Sequence, residues 1–167
     1  SSNVSSVTFT EALTGAFSDY KIYVVMVSGM RFDSDNEDFY VRYRTGSNGS
    51  SQQATNVYVA MTSGNDADDS FPATSQWRMN YNNIGNDTDG SYVKEDFNAV
   101  IYFYGFETNK RLRYHGQTTY QSSDGNVRGQ FINGFATDGT EVTGLEFFAS
   151  ASNNISFGKF SLFGVNG

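Results

Sequence analysis

The sequence predicts an all-β protein: a two-sheet antiparallel β-sandwich, jelly-roll-like, of about ten strands. Three observations carry this reading. Aromatic and β-branched residues, which fit a pleated and half-buried surface, dominate the apolar content, with 15 Phe and 11 Tyr against one Trp. They come in short runs broken by Gly, Asn, Asp and Ser, the residues that make turns, and there are 17 Gly but a single Pro. No segment shows an apolar stripe repeating every 3.6 residues, as an amphipathic helix would. At 167 residues the chain is read as a single domain, 1–167.

The strand-like runs fall at 4–10, 20–28, 38–45, 56–62, 76–81, 97–106, 110–120, 127–135, 142–149 and 155–163. After the first run there is room for one helical turn near Glu11 to Leu13. The second run, Tyr20-Lys-Ile-Tyr-Val-Val-Met-Val27, is apolar on both faces and is placed centrally in its sheet. Its Tyr23, Val25 and Val27 are assigned to a face that needs cover from a loop or from another copy of the chain. In the third run Phe39, Val41 and Tyr43 point one way, and Tyr40, Arg42 and Arg44 the other. In the fourth, Val57, Val59 and Met61 oppose Tyr58, Ala60 and Thr62. In the sixth, Ala99, Ile101 and Phe103 oppose Val100, Tyr102 and Tyr104. The seventh puts His115 on a polar face with Arg111 and Arg113, and the ninth sets Leu145 and Phe147 against Glu146 and Phe148.

In the last run Ile155 and Phe157 share a face, and strict alternation would send Phe160 and Leu162 to the other side. Gly158 stands where the parity breaks, so a bulge there is predicted to return both residues to the core. The predicted core is Ile22, Val24, Phe39, Val41, Ile101, Phe103, Leu145, Phe147, Phe160 and Leu162. Stretches 45–55, 62–75 and 82–96 are polar and read as loops, where sandwich proteins often carry binding function.

Charge and composition narrow the function. A net charge of −7 and a pI near 4.5 oppose binding to nucleic acid or to anionic membrane surfaces. No apolar run approaches the roughly 20 residues that span a bilayer as a helix. Without cysteine there can be no disulfide framework, thiolate zinc site or cysteine nucleophile. The chain opens Ser1-Ser-Asn instead of Met, which reads as a processed chain or a piece of a longer one.

Candidate chemistry is sparse. Asp33-Ser-Asp-Asn-Glu-Asp38 alternates carboxylates like the start of a calcium loop, but Asp38 and Arg44 occupy the positions that need Gly and Glu. A solvated turn is the simpler reading. Gly85 to Asp96 comes closer: Asp87, Asp89 and Asp96 take loop positions three, five and twelve, with Gly90 at six, although Gly85 offers no ligand. Calcium at these three aspartates is therefore the one cofactor considered, and otherwise none is expected. Asn65 to Asp69 reads as an acidic loop tip.

His115, the only histidine, reads as a surface residue, because no Gly-x-Ser-x-Gly elbow supplies an exposed serine for a triad. Glu146 alone among the glutamates sits in an apolar strand, and it is read as a structural partner for an arginine, not as half of a glycosidase pair. The expectation is a non-enzymatic protein. Arg42, Arg44, Arg111 and Arg113 are read either as members of ion pairs within a sheet or as docking points for the acidic loops of another copy. Tyr40, Tyr58, Tyr102, Tyr104 and Trp77, off the core faces, are candidates for stacking on sugars or packing at an interface.

Four stretches resemble a known module when taken in order. They are Phe17-Ser-Asp-Tyr-Lys-Ile-Tyr-Val-Val25, Phe39-Tyr-Val-Arg-Tyr-Arg44, Val142-Thr-Gly-Leu-Glu-Phe-Phe-Ala149 and Asn154-Ile-Ser-Phe-Gly-Lys-Phe-Ser-Leu-Phe-Gly164. Together they look like the β-sandwich domain that recurs in virion proteins of tailed phages, especially marine ones. The segment 63–96 contains none of these motifs. The resemblance implies a virion location and a multi-copy structural role, as a tail-fibre or receptor-binding domain or a capsid decoration. With the doubly apolar strand 20–28, this leads to the expectation of a homo-oligomer, for instance a trimer, in contact with other virion proteins, with a host-surface glycan as a further candidate partner. The alternative, on the same architecture and aromatic residues, is a carbohydrate-binding module of a secreted or surface protein.

Overall fold

A computed structural model describes residues 3–52, 57–63, 66–73, 76–86, 96–107, 109–137, 139–150 and 153–166. In chain order the elements are β1 (Ser6–Thr10), the single helical turn α1 (Glu11–Thr14), β2 (Ile22–Phe32), β3 (Phe39–Thr45), β4 (Ser51–Gln52), β5 (Val57–Ser63) and β6 (Asp66–Ala73). These are followed by β7 (Trp77–Arg78), β8 (Phe97–Tyr104), β9 (Arg113–Gln121), β10 (Val127–Ala136), β11 (Gly144–Ala149) and β12 (Ile155–Val165). The strands form two antiparallel sheets. One runs β1-β11-β3-β4, with β7 also on β3; the other runs β12-β2-β8-β9-β10-β5-β6. The all-β sandwich read from the sequence is the observed architecture.

Aromatic side chains from both sheets fill the space between them. Phe39 and Phe147 of the smaller sheet stack at 5.9 Å, and Phe39 meets Phe97 of the larger sheet at 5.0 Å. Phe103 and Phe160, also on the larger sheet, lie 6.4 and 5.7 Å from Phe147. Phe39, Val41, Ile101, Phe103, Leu145 and Phe147 are buried, as alternation predicts, and Phe160 and Leu162 pack against them half-buried.

Gly158 has φ +133°, and the β12–β2 register shifts on both sides of Phe157, so the predicted bulge is present. Further along β12, a Cβ on Gly164 would lie 2.3 Å from the Tyr20 ring, so the ring packs directly on the strand backbone.

Several predictions need correction; in β12, Ile155 is buried but Phe157 is exposed, so the two do not share the core face. The face of β2 is inverted: Tyr23, Val25 and Val27 form part of the core, and Ile22 and Val24 lie on the outer side, half-buried. Register is the reason. Tyr23, Val25 and Val27 stand opposite Phe103, Ile101 and Ala99 of β8, and residues paired across a ladder share a face. All three are buried within the chain, Tyr23 against Phe17 and Phe106 with its hydroxyl donating to the Ala16 carbonyl, so they are not an interface awaiting a second copy. A further correction concerns 62–75, which is not all loop: Asp66–Ala73 is the edge strand β6, paired with β5. Similarly, 45–55 contains the short strand β4, and within 76–81 only Trp77 and Arg78 are strand.

The acidic run 33–38 is a turn with Asp33, Asp35 and Asn36 exposed, as read from the sequence, but several of its carboxylates are also bonded within the chain. Asp33 accepts hydrogen bonds from the backbone N–H of Asn154 at 2.9 Å and from its side-chain amide at 2.8 Å. Glu37 is buried and accepts from Ser150 and Asn153, while Asp38 pairs with Arg78. The run therefore buckles the β2–β3 connection to the β11–β12 connection. The bonds to Asn154, backbone first and then side chain, hold Asp33 below the usual carboxylate range.

Candidate functional site

On the outer face of the larger sheet, register places side chains in rows. One row runs Val165, Ile22, Tyr104, Arg113, Phe135 and position 58, across β12, β2, β8, β9, β10 and β5. The next runs Phe163, Val24, Tyr102, His115 and Asn133, and a third runs Ser161, Met26, Val100, Gln117 and Phe131. No single strand contains this pattern; six adjacent strands assemble it.

The face has two halves. Over β12 and β2 it is apolar, with Phe163 50% and Met26 46% exposed beside Ile22, Val24 and Val165. Over β8, β9 and β10 it is aromatic and cationic. His115 stacks on Tyr102 at 5.1 Å with 18° between the rings, and on Tyr104 at 5.3 Å and 23°. The Tyr104 hydroxyl lies 3.4 Å from His115 Nε2. Burial, and then the neighbouring Tyr102, push the Tyr104 pKa up, so the phenol stays protonated and able to donate. Tyr104, Arg111, Arg113, His115, Asn133 and Phe135 line a groove of about 670 Å³, and Met26, Asn98, Val100, Gln117 and Thr119 border a smaller hollow of about 320 Å³.

The other predicted site residues are dispersed. Trp77 is fully buried, 5.0 Å from the Tyr114 ring and 5.7 Å from that of Tyr43, and is a core residue, not a sugar platform. Its polar sequence surroundings conceal the pairing of β7 with Val41. Tyr40 lies on the outer face of the smaller sheet, stacked on Phe148 at 5.8 Å, with its hydroxyl donating to Asp38 at 3.2 Å. Tyr58 belongs to β5; its backbone position faces the rows above, and its side chain lies outside the described residues.

Arg42 and Arg44 are committed inside the chain. Arg42 donates two hydrogen bonds to Glu146, at 2.8 and 2.9 Å, and Arg44 donates one at 2.6 Å, which is the pairing within a sheet, one of the two readings of these arginines. The Arg42 guanidinium also lies over the Phe148 ring at 4.3 Å. Glu146 thus has the structural role read from its strand. Burial alone would raise its pKa, but the bonds from Arg42 and Arg44 outweigh that and hold it low.

Arg111 and Arg113, by contrast, are exposed and open onto the groove. Of the calcium candidates, Asp87 and Asp89 lie outside the described residues, and Asp96 pairs with Arg31. Among the described residues no three His, Asp or Glu side chains gather as a metal site.

Alternation within β8 and β9 signals Tyr102, Tyr104, Arg113 and His115. Asn133 and Phe135 were missed, since only cross-strand register brings them alongside. No protein-family model, curated protein or solved structure matches the chain.

Proposed function

We propose that this protein is a non-enzymatic structural unit of a tailed-phage virion, displayed in many copies and self-associating through the apolar half of its larger sheet. The observation that carries the self-association is the contiguous set Ile22, Val24, Met26, Phe163 and Val165 on one outer face, with Phe163 half exposed. Contiguous exposed apolar surface marks an interaction site, and a central strand that is apolar on both sides needs a covering layer for each. The smaller sheet supplies one, and a second copy is proposed as the other. The virion assignment rests on the resemblance of the four ordered motifs. It is tested by locating the chain in purified particles: cryo-electron microscopy density for it in repeated, symmetry-related positions is the expected result, and particles lacking the chain would refute it.

A second reading, a glycan-binding module, is favoured by the groove beside the apolar half, where aromatic rings stand next to an amide and two guanidinium groups. The two readings use different halves of the face and are compatible in one protein.

A further inference from the structure

The chain has seven arginines. Five are held in ion pairs: Arg31 with Asp96, Arg42 and Arg44 together with Glu146, Arg78 with Asp38, and Arg128 with Asp124. The other two, Arg111 and Arg113, form no ion pair with the described residues, and both line the same groove. His115 joins them, and among the described residues no carboxylate belongs to the groove lining. In a protein of net charge −7 this is a local inversion of sign.

Unpaired guanidinium groups present planar, bidentate donors suited to a carboxylate. The rest of the lining suits a sugar ring. Tyr104 and Phe135 provide aromatic surface for the C–H face of a pyranose, and Asn133 and the Tyr104 hydroxyl provide donors and acceptors for its hydroxyls. A nucleic acid would bring many phosphates against a protein of net charge −7, which opposes it.

We propose that the groove binds a carboxylated saccharide, a uronate-bearing segment of a surface glycan. Its carboxylate is held by Arg111 and Arg113, and its ring packs against Tyr104 and Phe135. The inference rests on the glycan-binding reading and adds the charge class of the ligand.

The test is isothermal titration of the intact chain with three oligosaccharides of equal length: an oligogalacturonate, a sulfated oligogalactan and a neutral cello-oligosaccharide. Saturable binding of the oligogalacturonate, at least about tenfold tighter than of the other two, is expected. Arg111→Gln and Arg113→Gln should each weaken it by about tenfold or more, and Tyr104→Ala should weaken it as well, with melting temperatures unchanged because all three side chains lie on the outer face. Lys159→Gln, on β12 and away from the groove, should leave the affinity unaltered. Equal loss in Lys159→Gln would mean diffuse charge attraction and would overturn the proposal. Equal or tighter binding of the neutral sugar would overturn the anionic assignment while leaving the glycan reading in place. Preference for the sulfated sugar would replace carboxylate by sulfate and overturn the uronate assignment. No binding of any of the three would overturn both the inference and the reading beneath it.

Discussion

At the residue scale, two aromatic residues of the core carry a polar group with no partner among the described residues. Trp77 Nε1 and the Tyr114 hydroxyl are buried with no hydrogen-bond partner, and the two rings touch edge-on at 5.0 Å. A buried donor left unpaired carries its full desolvation cost, and burial also drives the Tyr114 pKa far above its ordinary value. Tyr114→Phe removes the orphan and keeps the ring, so urea unfolding should show the variant as stable as the parent or more stable by about 1 kcal/mol; a loss of more than 1 kcal/mol would reveal a partner for the hydroxyl. Phe103 shows the opposite case. It is completely buried against Phe147 and Tyr114, and Phe103→Ala should cost about 3–5 kcal/mol in the same measurement. Phe103 was legible in the sequence because eight residues of β8 alternate cleanly. Trp77 was not, because a two-residue strand has no period to read and its neighbours Ser75, Gln76 and Arg78 are polar.

At the element scale, β12 shows how a parity break in sequence becomes a bulge. A Cβ on Gly158 would sit 2.8 Å from Met30 Cα, on a backbone with φ +133°. Gly158→Ala should therefore cost about 1–3 kcal/mol, read as a lowered urea midpoint with unchanged slope. Beside this legible strand, β6 was missed. Asp66-Ala-Asp-Asp-Ser-Phe-Pro-Ala73 has neither alternation nor β-branched residues, and its carboxylates and proline are what an edge strand carries to resist pairing with a further chain.

The joint between β3 and β11 gives a pH prediction. Glu146 has a depressed pKa in the folded protein, and in the unfolded chain it takes up a proton near its ordinary 4.5. Its contribution is therefore complete above about that pH and is lost as pH falls through the lower folded value. Glu146→Gln should flatten the acid limb of a stability–pH curve measured by thermal melting. Asp33 is also held low, so the slope should diminish without vanishing. An unchanged limb would mean that the carboxylate gains nothing from the two arginines.

At the scale of the whole molecule, the sequence and the fold disagree about β2 in a way that decides the assembly test. Alternation shows that β2 has two apolar faces, but it cannot say which one the second sheet covers, since that depends on register with β8. The structure assigns Val25 to the core and Val24 to the outer face, beside Phe163 of β12. Adjacent positions on one strand should then respond in opposite ways. Val25→Asp buries a charge among Tyr23, Ile101 and Leu162 and should unfold the protein or cost about 4 kcal/mol or more. Val24→Asp places the charge on the outer face and should leave the melting temperature of the monomer within a few degrees of the parent. If a second copy covers Ile22, Val24, Met26 and Phe163, the interface should bury upwards of about 1,000 Å² in total, and the parent chain should sediment as an oligomer at micromolar concentration. Val24→Asp and Phe163→Asp should each convert that species to a folded monomer, since either carboxylate would have to lose its water inside the interface. Because this contact is apolar, raising salt should preserve the oligomer, whereas the proposed saccharide contact at Arg111 and Arg113 should weaken. A parent that sediments as a monomer across this range, with Val24→Asp indistinguishable from it, would remove self-association through this face and leave the cationic groove as the functional part of the sheet.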